Sequence, residues 1–400
     1  MDGKKIGIVV VFLVAIVAIV AFKFATGKPE RSGSAGSTSA SGAPTGSAPP
    51  TSVTEISMLY SAEKKEWVEG AAVKFRADHP EIKLTLNAKG SIDGAQAIVD
   101  EKEKPTIFSP ADSLIMNMAI GDWKTKGKGD LVATSGEDAP QSELITPLVF
   151  VVWDDRAQVL LKAADGKISW KAIRKEIASN KGWPSIGGKA EWGFLKLGHT
   201  DPTKSNSGLQ ALYLMSLEYY GKPTLEVGDL LKPEYQSYIR DIEKGVTRFE
   251  TSSGAFMTEM VRFGPSKYDL AAVYENLAIS QLEAAQGRWG TLRVYYPATT
   301  VWADNPTAIL KTEWVSKAQH DAAKLWLKHL RSREVQQQAL MLGFRPGDTS
   351  IPIKTGDAQN PFVKFAQYGV QVDIPPVAKP PEGPVVHNLM TMWSRIAAPK

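Results

Sequence analysis

Segments with strand and helix patterns alternate along the chain from residue 53 to about residue 125. Val53–Tyr60 and Ile82–Leu86 have the pattern of strands, and each is followed by apolar residues at helical spacing. A third short strand is predicted at 106–108, again before a helix. Strands that alternate with helices predict a parallel, doubly wound α/β sheet. Sheets of this kind bind ligands at the carboxyl ends of their strands.

Hydroxyl side chains follow each of these predicted strands. Ser61 follows the first strand, Ser91 the second, and Ser109 and Ser113 the third. Each serine alone could simply cap a helix, because serine is a common N-cap residue. Several hydroxyls at equivalent points of one sheet indicate instead that they share a ligand site.

The segment 198–212, GHTDPTKSNSGLQAL, carries a further polar cluster. Ser205, Asn206 and Ser207 stand immediately before or at the start of an apolar run with helical spacing. The first N–H groups of a helix lack backbone partners and lie at the positive end of the helix dipole. This helix start therefore suits an anion or a polar oxygen, and the alternative is an ordinary capped helix without a ligand.

The first 28 residues predict a membrane segment. Ile6–Phe22 is uncharged and strongly apolar, and Lys4 and Lys5 precede it. As a helix it would reach roughly 25 Å, close to the thickness of a bilayer core. Positive residues before the run favour a cytoplasmic N-terminus, so we expect an anchored protein with its body on the extracytoplasmic, periplasmic side. A cleaved signal peptide is the alternative, although residues 22–26 form a poor cleavage site.

Residues 29–52 are predicted to be a flexible linker. Almost all positions from Arg31 to Ser52 are Ser, Gly, Ala, Thr or Pro. A segment of this composition cannot bury an apolar core and behaves as a tether. The folded body is therefore expected to begin near Val53.

Composition excludes several classes of protein. The chain has no cysteine, which excludes disulfides, thiolate metal sites, a cysteine nucleophile and a lipidated N-terminal cysteine. Its net charge is only +4 and its basic residues are dispersed, which argues against nucleic-acid binding. The five histidines lack zinc-ligand spacing, and no phosphate-loop, dinucleotide or nucleophile-elbow motif occurs. We therefore expect no cofactor, no metal and no catalysis.

Six segments, taken in their order along the chain, carry a resemblance to a known family. The order resembles that of the type II periplasmic solute-binding proteins, and within them the molybdate/sulfate-type branch and its relatives associated with von Willebrand A domains. The likeness covers roughly residues 53–352, and the Pro-rich tail beyond Lys354 lies outside it. The segments are YSAEKKEW (60–67), SPADS (109–113), GHTDPTKSNSGLQAL (198–212), VYENLAI (273–279), YYPATTVWADNPTAIL (295–310) and GFRP (343–346).

The resemblance implies two α/β lobes with a ligand cleft between them. Lobe one would comprise residues 53–147 plus 291–400, and lobe two residues 148–290. The chain would cross between the lobes near 148–153 and 292–297, and the lobes would close around ligand by hinge motion.

The resemblance also implies the ligand contacts. In oxyanion-binding members, hydroxyls and backbone N–H groups hold the ligand with little countercharge. Several neutral donors suit an ionised tetrahedral oxyanion, because they share its charge. The implied contacts are Ser61, Ser109, Ser113, Ser205, Asn206, Ser207 and Tyr274, with Glu275 as a further candidate.

Glu275 departs from this pattern because its charge would repel an oxyanion. Either its side chain faces away from the ligand, near a helix N-terminus, or the ligand is a polyol, sugar or amine that carries donors. Lys64 and Lys65 could offset the charge, although their pattern is typical of a solvated helix face. The tryptophans at 67, 153 and 302 are expected to pack in the core or hinge rather than to stack on a ligand.

The sequence thus predicts an extracytoplasmic protein that captures a small solute, most simply an oxyanion, for an ABC transporter. The alternative is a membrane-tethered sensory or interaction module that serves a partner, such as a von Willebrand A-type protein. An enzyme on the same fold would need a titratable cluster in the cleft, and Glu275 is the one candidate visible in the sequence.

Overall fold

The computed structural model describes residues 53–397. The predicted anchor (1–28) and linker (29–52) lie outside the described residues. Within 53–397, no helix combines the length and the apolar character needed to cross a membrane.

The strands of the described part form two sheets. In chain order the strands are β1 (Thr54–Ser61), β2 (Ile82–Lys89), β3 (Ile107–Ser109), β4 (Gln141–Ser142), β5 (Leu144–Trp153), β6 (Leu197–Gly198), β7 (Leu270–Tyr274), β8 (Leu292–Tyr295), β9 (Trp302–Ala303), β10 (Pro306–Ile309) and β11 (Arg345–Pro346). The first sheet contains five strands in the order β2-β1-β3-β10-β4, and the second is organised around β5.

Helices cover the faces of both sheets. They are α1 (Lys65–Asp78), α2 (Ser91–Val99), α3 (Ser113–Thr125), α4 (Asp154–Ala163), α5 (Trp170–Ser179), α6 (Asn206–Tyr220), α7 (Val227–Leu230), α8 (Pro233–Glu243), α9 (Ser253–Phe263), α10 (Glu275–Ala285), α11 (Lys317–Leu330), α12 (Arg333–Met341), α13 (Pro361–Lys364) and α14 (Gly383–Ile396). A 3-10 turn, Ala62–Lys64, separates β1 from α1.

The first sheet has the predicted parallel arrangement at its centre. Strand β1 pairs in parallel with β2 from Thr54 to Ser61 and with β3 up to Ser109. Strand β10 closes the order antiparallel to β3 and β4. Because β1 and β3 run in the same direction, Ser61 and Ser109 reach the same edge of the sheet, as the sequence predicts.

Strand β5 organises the second sheet. Its buried apolar run from Leu144 to Trp153 pairs antiparallel with β7, β8, β9 and β11, and β6 joins β7 in parallel. The continuous apolar sequence of residues 146–153 predicts a strand that is buried on both faces, and the burial of β5 confirms this prediction. The residue before it, Glu143, hydrogen-bonds through its N–H to the carbonyl of Asn305, beside the first sheet. Strand β5 therefore leads from one sheet to the other.

Two predicted elements differ from the structure. The sequence of residues 192–197 predicts a strand, but the 3-10 turn Ala190–Trp192 ends there, residues 193–196 are irregular, and only Leu197–Gly198 pairs as a strand. The amphipathic pattern of residues 313–342 predicts one long helical region, but the structure has two helices, α11 and α12. The break falls at Ser332, whose side chain accepts the N–H of Val335 and starts a new helix.

Alternate residues of β1 enter two separate apolar cores. Met58 and Tyr60 pack with α1, α11 and α12, whereas Leu59 packs with α2 and α3 on the opposite face. This is the two-residue period of a strand covered on both sides. A third, larger core surrounds β5 and β7, and it includes Trp393 near the end of the chain.

The C-terminal segment contacts elements of both sheets. Helix α14 packs against α3 beside the first sheet and against α6, α7 and α8 beside the second. The Trp393 indole donates to Glu243 over 2.8 Å, and the Tyr213 hydroxyl donates to the carbonyl of Lys379 over 2.9 Å. The segment after residue 354 is therefore part of the folded body.

Candidate functional site

Several helix N-termini meet between the two sheets. Helix α6 begins after Ser205 and α9 after Ser252, and neither N-cap side chain bonds the first helical turn. Helix α10 begins directly after Tyr274, and α3 after Asp112. Their first-turn N–H groups carry partial positive charge, so the region between the sheets favours negative or strongly polar groups.

A chain of buried hydroxyls lies at the starts of α6 and α9. We call Thr200, Ser205, Ser207 and Ser253 the hydroxyl cluster. The Ser207 Oγ lies 2.7 Å from the Thr200 Oγ1 and 2.8 Å from the Ser253 Oγ. The Ser205 Oγ lies 3.2 Å from the Ser253 Oγ. Since hydroxyls both donate and accept, the cluster can turn its donors toward an anion.

A glycine brings Thr200 into this cluster. A Cβ on Gly208, in the first turn of α6, would lie 2.1 Å from the carbonyl oxygen of Thr200. Any larger residue would therefore push the segment after β6 away from the helix. The close approach sets the Thr200 hydroxyl beside Ser207.

Backbone atoms at the edge of the first sheet lie against the segments that start the helices of the second sheet. The carbonyl oxygen of Ala62 lies 3.5 Å from the position of a Cβ on Gly254, at the start of α9. The Asn276 side chain donates to the carbonyl of Glu63 over 3.3 Å. A Cβ on Gly90, which precedes α2, would lie 2.8 Å from the carbonyl oxygen of Lys204. The cleft is therefore closed, with the turn after Ser61 against the helix starts.

Tyr274 and Asn206 lie together inside this closed cleft. The Asn206 side-chain amide donates to the Tyr274 hydroxyl over 3.0 Å, and both residues are buried. Burial raises the pKa of Tyr274 well above its ordinary value, and the charges of Glu63 and Asp112 raise it further. The hydroxyl therefore stays protonated and can donate. The Asn206 Oδ1 is buried without a hydrogen-bond partner.

Two buried carboxyl groups flank the Tyr274 hydroxyl, and the sequence interpretation missed both. Glu63 accepts a short hydrogen bond from the Ser61 hydroxyl, and burial raises the pKa of Glu63. Asp112 accepts from the Leu114 N–H and from the Gln210 amide, each over 2.7 Å. Burial, with Asp304 nearby, raises the pKa of Asp112 to about 6. The sequence could have indicated both residues, because Glu63 belongs to the segment YSAEKKEW and Asp112 to the segment SPADS.

Lys64 is buried, which corrects the expectation of a solvated helix face. Its Nζ donates to the Ser109 hydroxyl over 2.9 Å, and to the Pro110 carbonyl and the Asn305 side chain over 3.0 Å each. Burial lowers the pKa of Lys64 to about 8. The physical reason is that Lys64 belongs to the buried 3-10 turn after β1, whereas the exposed Lys65 opens α1.

Ser109 and Ser113 are engaged by neighbours on the first sheet's side. Besides Lys64, the Ser109 hydroxyl lies 2.7 Å from the Thr307 hydroxyl. The Ser113 hydroxyl donates to Asp304, whose other oxygen accepts the Ser113 N–H over 2.7 Å. The structure thus separates these two serines from the hydroxyl cluster.

Glu275 is fully buried in an ion pair. Its oxygens accept from Nε and Nη2 of Arg345, each over 2.9 Å, and from the Tyr296 hydroxyl. This placement favours the first interpretation of Glu275, in which its side chain does not bind the ligand. Trp67 and Trp153 pack in the cores, as expected, and donate to the carbonyls of Val335 and Tyr268. Within 53–397, no group of three or more His, Cys, Asp or Glu residues could hold a metal ion.

Two covered sheets joined through β5, with helix N-termini meeting in the cleft between them, define a periplasmic-binding-protein fold. The profile of the bacterial extracellular solute-binding protein family matches residues 56–345, and the chain belongs to that family. Its folded body is accordingly extracytoplasmic. The family consists of solute-binding proteins that serve ABC transporters and not of enzymes, so the expectation of a protein without catalysis is confirmed.

Solved structures confirm the predicted fold. The sulfate-binding protein SubI from Mycobacterium tuberculosis is 17% identical, with a TM-score of 0.52, over 83% of this chain and 96% of that one. The fructose-6-phosphate-bound AfuA from Actinobacillus pleuropneumoniae is 16% identical, with a TM-score of 0.56, over 86% and 98%. A periplasmic thiamin-binding protein is 14% identical, with a TM-score of 0.59, over 86% and 96%. At these identities the likeness concerns the fold alone. A search of curated protein sequences found no significant match.

Proposed function

We propose that this protein captures a small oxyanion between two hinged lobes and delivers it to an ABC transporter. The observation that carries the proposal is the hydroxyl cluster at the starts of α6 and α9. Two helix dipoles and the hydroxyls would share the charge of an oxyanion without a bound countercharge. The proposed lobes are residues 53–147 plus 291–400 and residues 148–290, as the sequence predicts.

Within this proposal, the ligand contacts are Ser61 from the first lobe and Ser205, Asn206, Ser207 and Tyr274 from the second. All five residues are buried in the cleft. Ser253 joins them because its hydroxyl lies within 2.8 Å of the Ser207 hydroxyl.

Ser109, Ser113 and Glu275 take supporting roles in this proposal. Ser109 holds the Lys64 ammonium over 2.9 Å, which keeps one positive charge at the cleft edge. Ser113 fixes Asp304 at the start of α3, and Glu275 fixes Arg345 of β11. Their substitution would change the ligand site only through these partners.

The carboxyl groups in the cleft favour a second candidate ligand. Glu63 and Asp112 would attract a cation, an amine or a polyol, since ionised carboxylates only accept hydrogen bonds. Their raised pKa values weaken the repulsion of an oxyanion, because a protonated carboxyl group can donate to it. A solute that carries both an oxyanion and donor groups would contact the hydroxyl cluster with the first and the carboxyl groups of Glu63 and Asp112 with the second.

The apolar run Ile6–Phe22 is proposed as an uncleaved anchor that keeps the protein near its membrane partner. Extraction of the native membranes with alkaline carbonate tests the anchor. An anchored chain stays in the pellet, and a cleaved one is released.

We also propose that the chain resembles the molybdate/sulfate-type branch, which would favour the oxyanion. A resemblance to von Willebrand A-associated relatives would favour the alternative of a tethered interaction module.

Calorimetric titration of the full chain, purified in mild detergent, tests the ligand. The panel is molybdate, tungstate, sulfate and phosphate, with glucose and spermidine representing polyols and amines. Binding of one oxyanion supports the proposal. Binding of spermidine or glucose alone assigns the cleft to the second candidate. Absence of binding across the panel favours the interaction module.

A further inference from the structure

A partly open cavity of about 190 Å³ lies beside the cleft. It is bounded by the start of α3, by one face of α6, by residues in and around β9, and by part of the C-terminal segment. The residues of the last two regions are Val301, Trp302, Asp304, Val377, Ala378, Pro380 and Pro381. Leu114, Leu209, Tyr213, Val301 and Trp302 give it largely apolar walls. An apolar cavity of about 150 Å³ in a protein interior is large enough to bind benzene.

One buried acceptor among the residues that line this cavity has no hydrogen-bond partner. Gln210 is only 4% exposed, and its Oε1 is buried without a hydrogen-bond partner. Its Nε2 is already used, donating to Asp112 over 2.7 Å and to the carbonyl of Trp302 over 2.9 Å. This pair of bonds fixes the orientation of the amide, so Oε1 is the atom left for another partner.

The charged side chains that line the cavity are those of Asp112 and Asp304. The Arg345 guanidinium, 6.0 Å from the centre of the Trp302 ring, is already paired with Glu275. An unpaired buried acceptor costs free energy that a donor from a ligand would recover. The walls therefore suit a ring that carries an N–H or O–H group, and they favour a positive charge over a negative one.

We propose that this cavity is a binding site for a small ring-bearing molecule with a hydrogen-bond donor, preferably a protonated amine. The ring packs between Leu209, Val301 and Trp302, and the donor bonds the Gln210 Oε1 beside Asp112. The site does not depend on the oxyanion proposed for the cleft. Its outer wall, formed by Val377, Ala378, Pro380 and Pro381, belongs to the C-terminal segment and lies beyond the family match at 56–345.

The cavity and the cleft share one residue. Asp112 Oδ2 accepts from Gln210 in the cavity wall over 2.7 Å and lies 3.4 Å from the Asn206 amide in the cleft. A ring in the cavity can thus be a separate ligand, or it can be one part of the solute whose anionic part lies in the cleft.

Calorimetric titration of the full chain with benzylamine tests the site. Toluene has the same ring without the donor, and benzoate reverses the charge. We expect benzylamine to bind at least tenfold more tightly than toluene and benzoate to give no binding. Failure of benzylamine to bind, or equal binding of benzoate, overturns the proposal and leaves the oxyanion proposal untouched.

Two variants locate the bound ring. Gln210→Met keeps the length of the side chain but removes the acceptor, so we expect benzylamine affinity to fall about tenfold toward that of toluene. Gln141→Met, at an exposed position of β4, is the matched control and should bind benzylamine as the unmodified chain does. If Gln210→Met fails to fold, the comparison of benzylamine, toluene and benzoate on the unmodified chain still decides whether the site prefers a ring with a donor.

A competition titration with benzylphosphonate, which joins a ring to an oxyanion, separates the two sources of the ring. Displacement of both benzylamine and the panel oxyanion by benzylphosphonate assigns the ring to the solute itself. Displacement of the oxyanion alone, with benzylamine still bound, assigns a separate ligand to the cavity. Both outcomes require that benzylamine binds.

Discussion

The Asn206 amide donates to the Tyr274 hydroxyl over 3.0 Å, which joins the start of α6 to the start of α10. The bond leaves the Tyr274 proton free to point at a ligand, since the oxygen is the acceptor in this contact. It also ties together two segments that are 68 residues apart in the sequence. In the proposed site, the same pair would both contact the ligand and hold the start of α6 against the start of α10.

Tyr274→Phe is expected to weaken oxyanion binding about tenfold, equivalent to about 1.4 kcal/mol, because one donor to the ligand is lost. Calorimetric titration measures the change. Tyr219→Phe, at a half-buried position near the C-terminal end of α6, is the matched control and should leave affinity unchanged. Equal affinity of Tyr274→Phe and the unmodified chain would remove Tyr274 from the ligand site.

Ser207→Ala is expected to reduce both ligand affinity and stability. The Ser207 hydroxyl lies within 2.8 Å of two other hydroxyls, so its loss leaves buried partners unpaired and costs about 1–3 kcal/mol of unfolding free energy. Urea unfolding and ligand titration measure the two effects. Ser394→Ala, on the exposed side of α14, should change neither. A variant that loses stability but binds with full affinity would make the hydroxyl cluster purely structural.

Sulfate binding is expected to tighten as pH falls through about 6, because burial raises the pKa of Asp112 to about 6 and protonation removes its negative charge. Sulfate keeps its own charge over this range, so the trend reports the protein. Asp112→Asn should flatten the dependence between pH 5 and 7. A slope that persists in Asp112→Asn would assign the titration to another group, with the buried Glu63 as the next to test.

The buried Lys64 predicts a stability change at alkaline pH. Its folded-state pKa of about 8 lies below the ordinary value of 10.5, so the unfolded chain binds more protons between these values. Stability contributed by this residue therefore rises as pH increases from about 8 to 10.5. Urea unfolding of the unmodified chain and of Lys64→Met, compared across this range, isolates the effect. Lys65→Met is the exposed control. If the stability of Lys64→Met changes with pH in the same way as that of the unmodified chain, the buried Lys64 amine is not the cause of the change.

Glu275→Gln is expected to destabilise the fold by about 3–5 kcal/mol, because it leaves the buried Arg345 guanidinium without its anionic partner. Glu283→Gln breaks a surface pair with Lys364 and should cost about 0–1 kcal/mol. Thermal and urea unfolding measure both. Oxyanion affinity should be unchanged in the folded fraction of Glu275→Gln. Tighter binding of an oxyanion by this variant, or loss of polyol binding, would instead place Glu275 in the ligand site.

The strand pattern allowed the parallel core of the first sheet and the buried strand β5 to be predicted, because strand burial shows directly in local periodicity. The burial of Lys64 was not predictable in the same way. Its partners Ser109 and Asn305 lie 45 and 241 residues away, and no local pattern reports them. The serines at the start of α6 were visible as a helix cap, but Ser253 comes from another segment, and only tertiary packing brings it to Ser207. The contacts of the C-terminal segment with helices beside both sheets were hidden by its Pro-rich composition.

Titration of the full chain with molybdate and sulfate, run beside Ser207→Ala, tests directly whether the hydroxyl cluster binds an oxyanion. We expect saturable binding of at least one of these oxyanions to the unmodified chain, weakened tenfold or more in the folded variant. Absence of oxyanion binding, or equal binding by both proteins, would contradict an oxyanion site at the starts of α6 and α9.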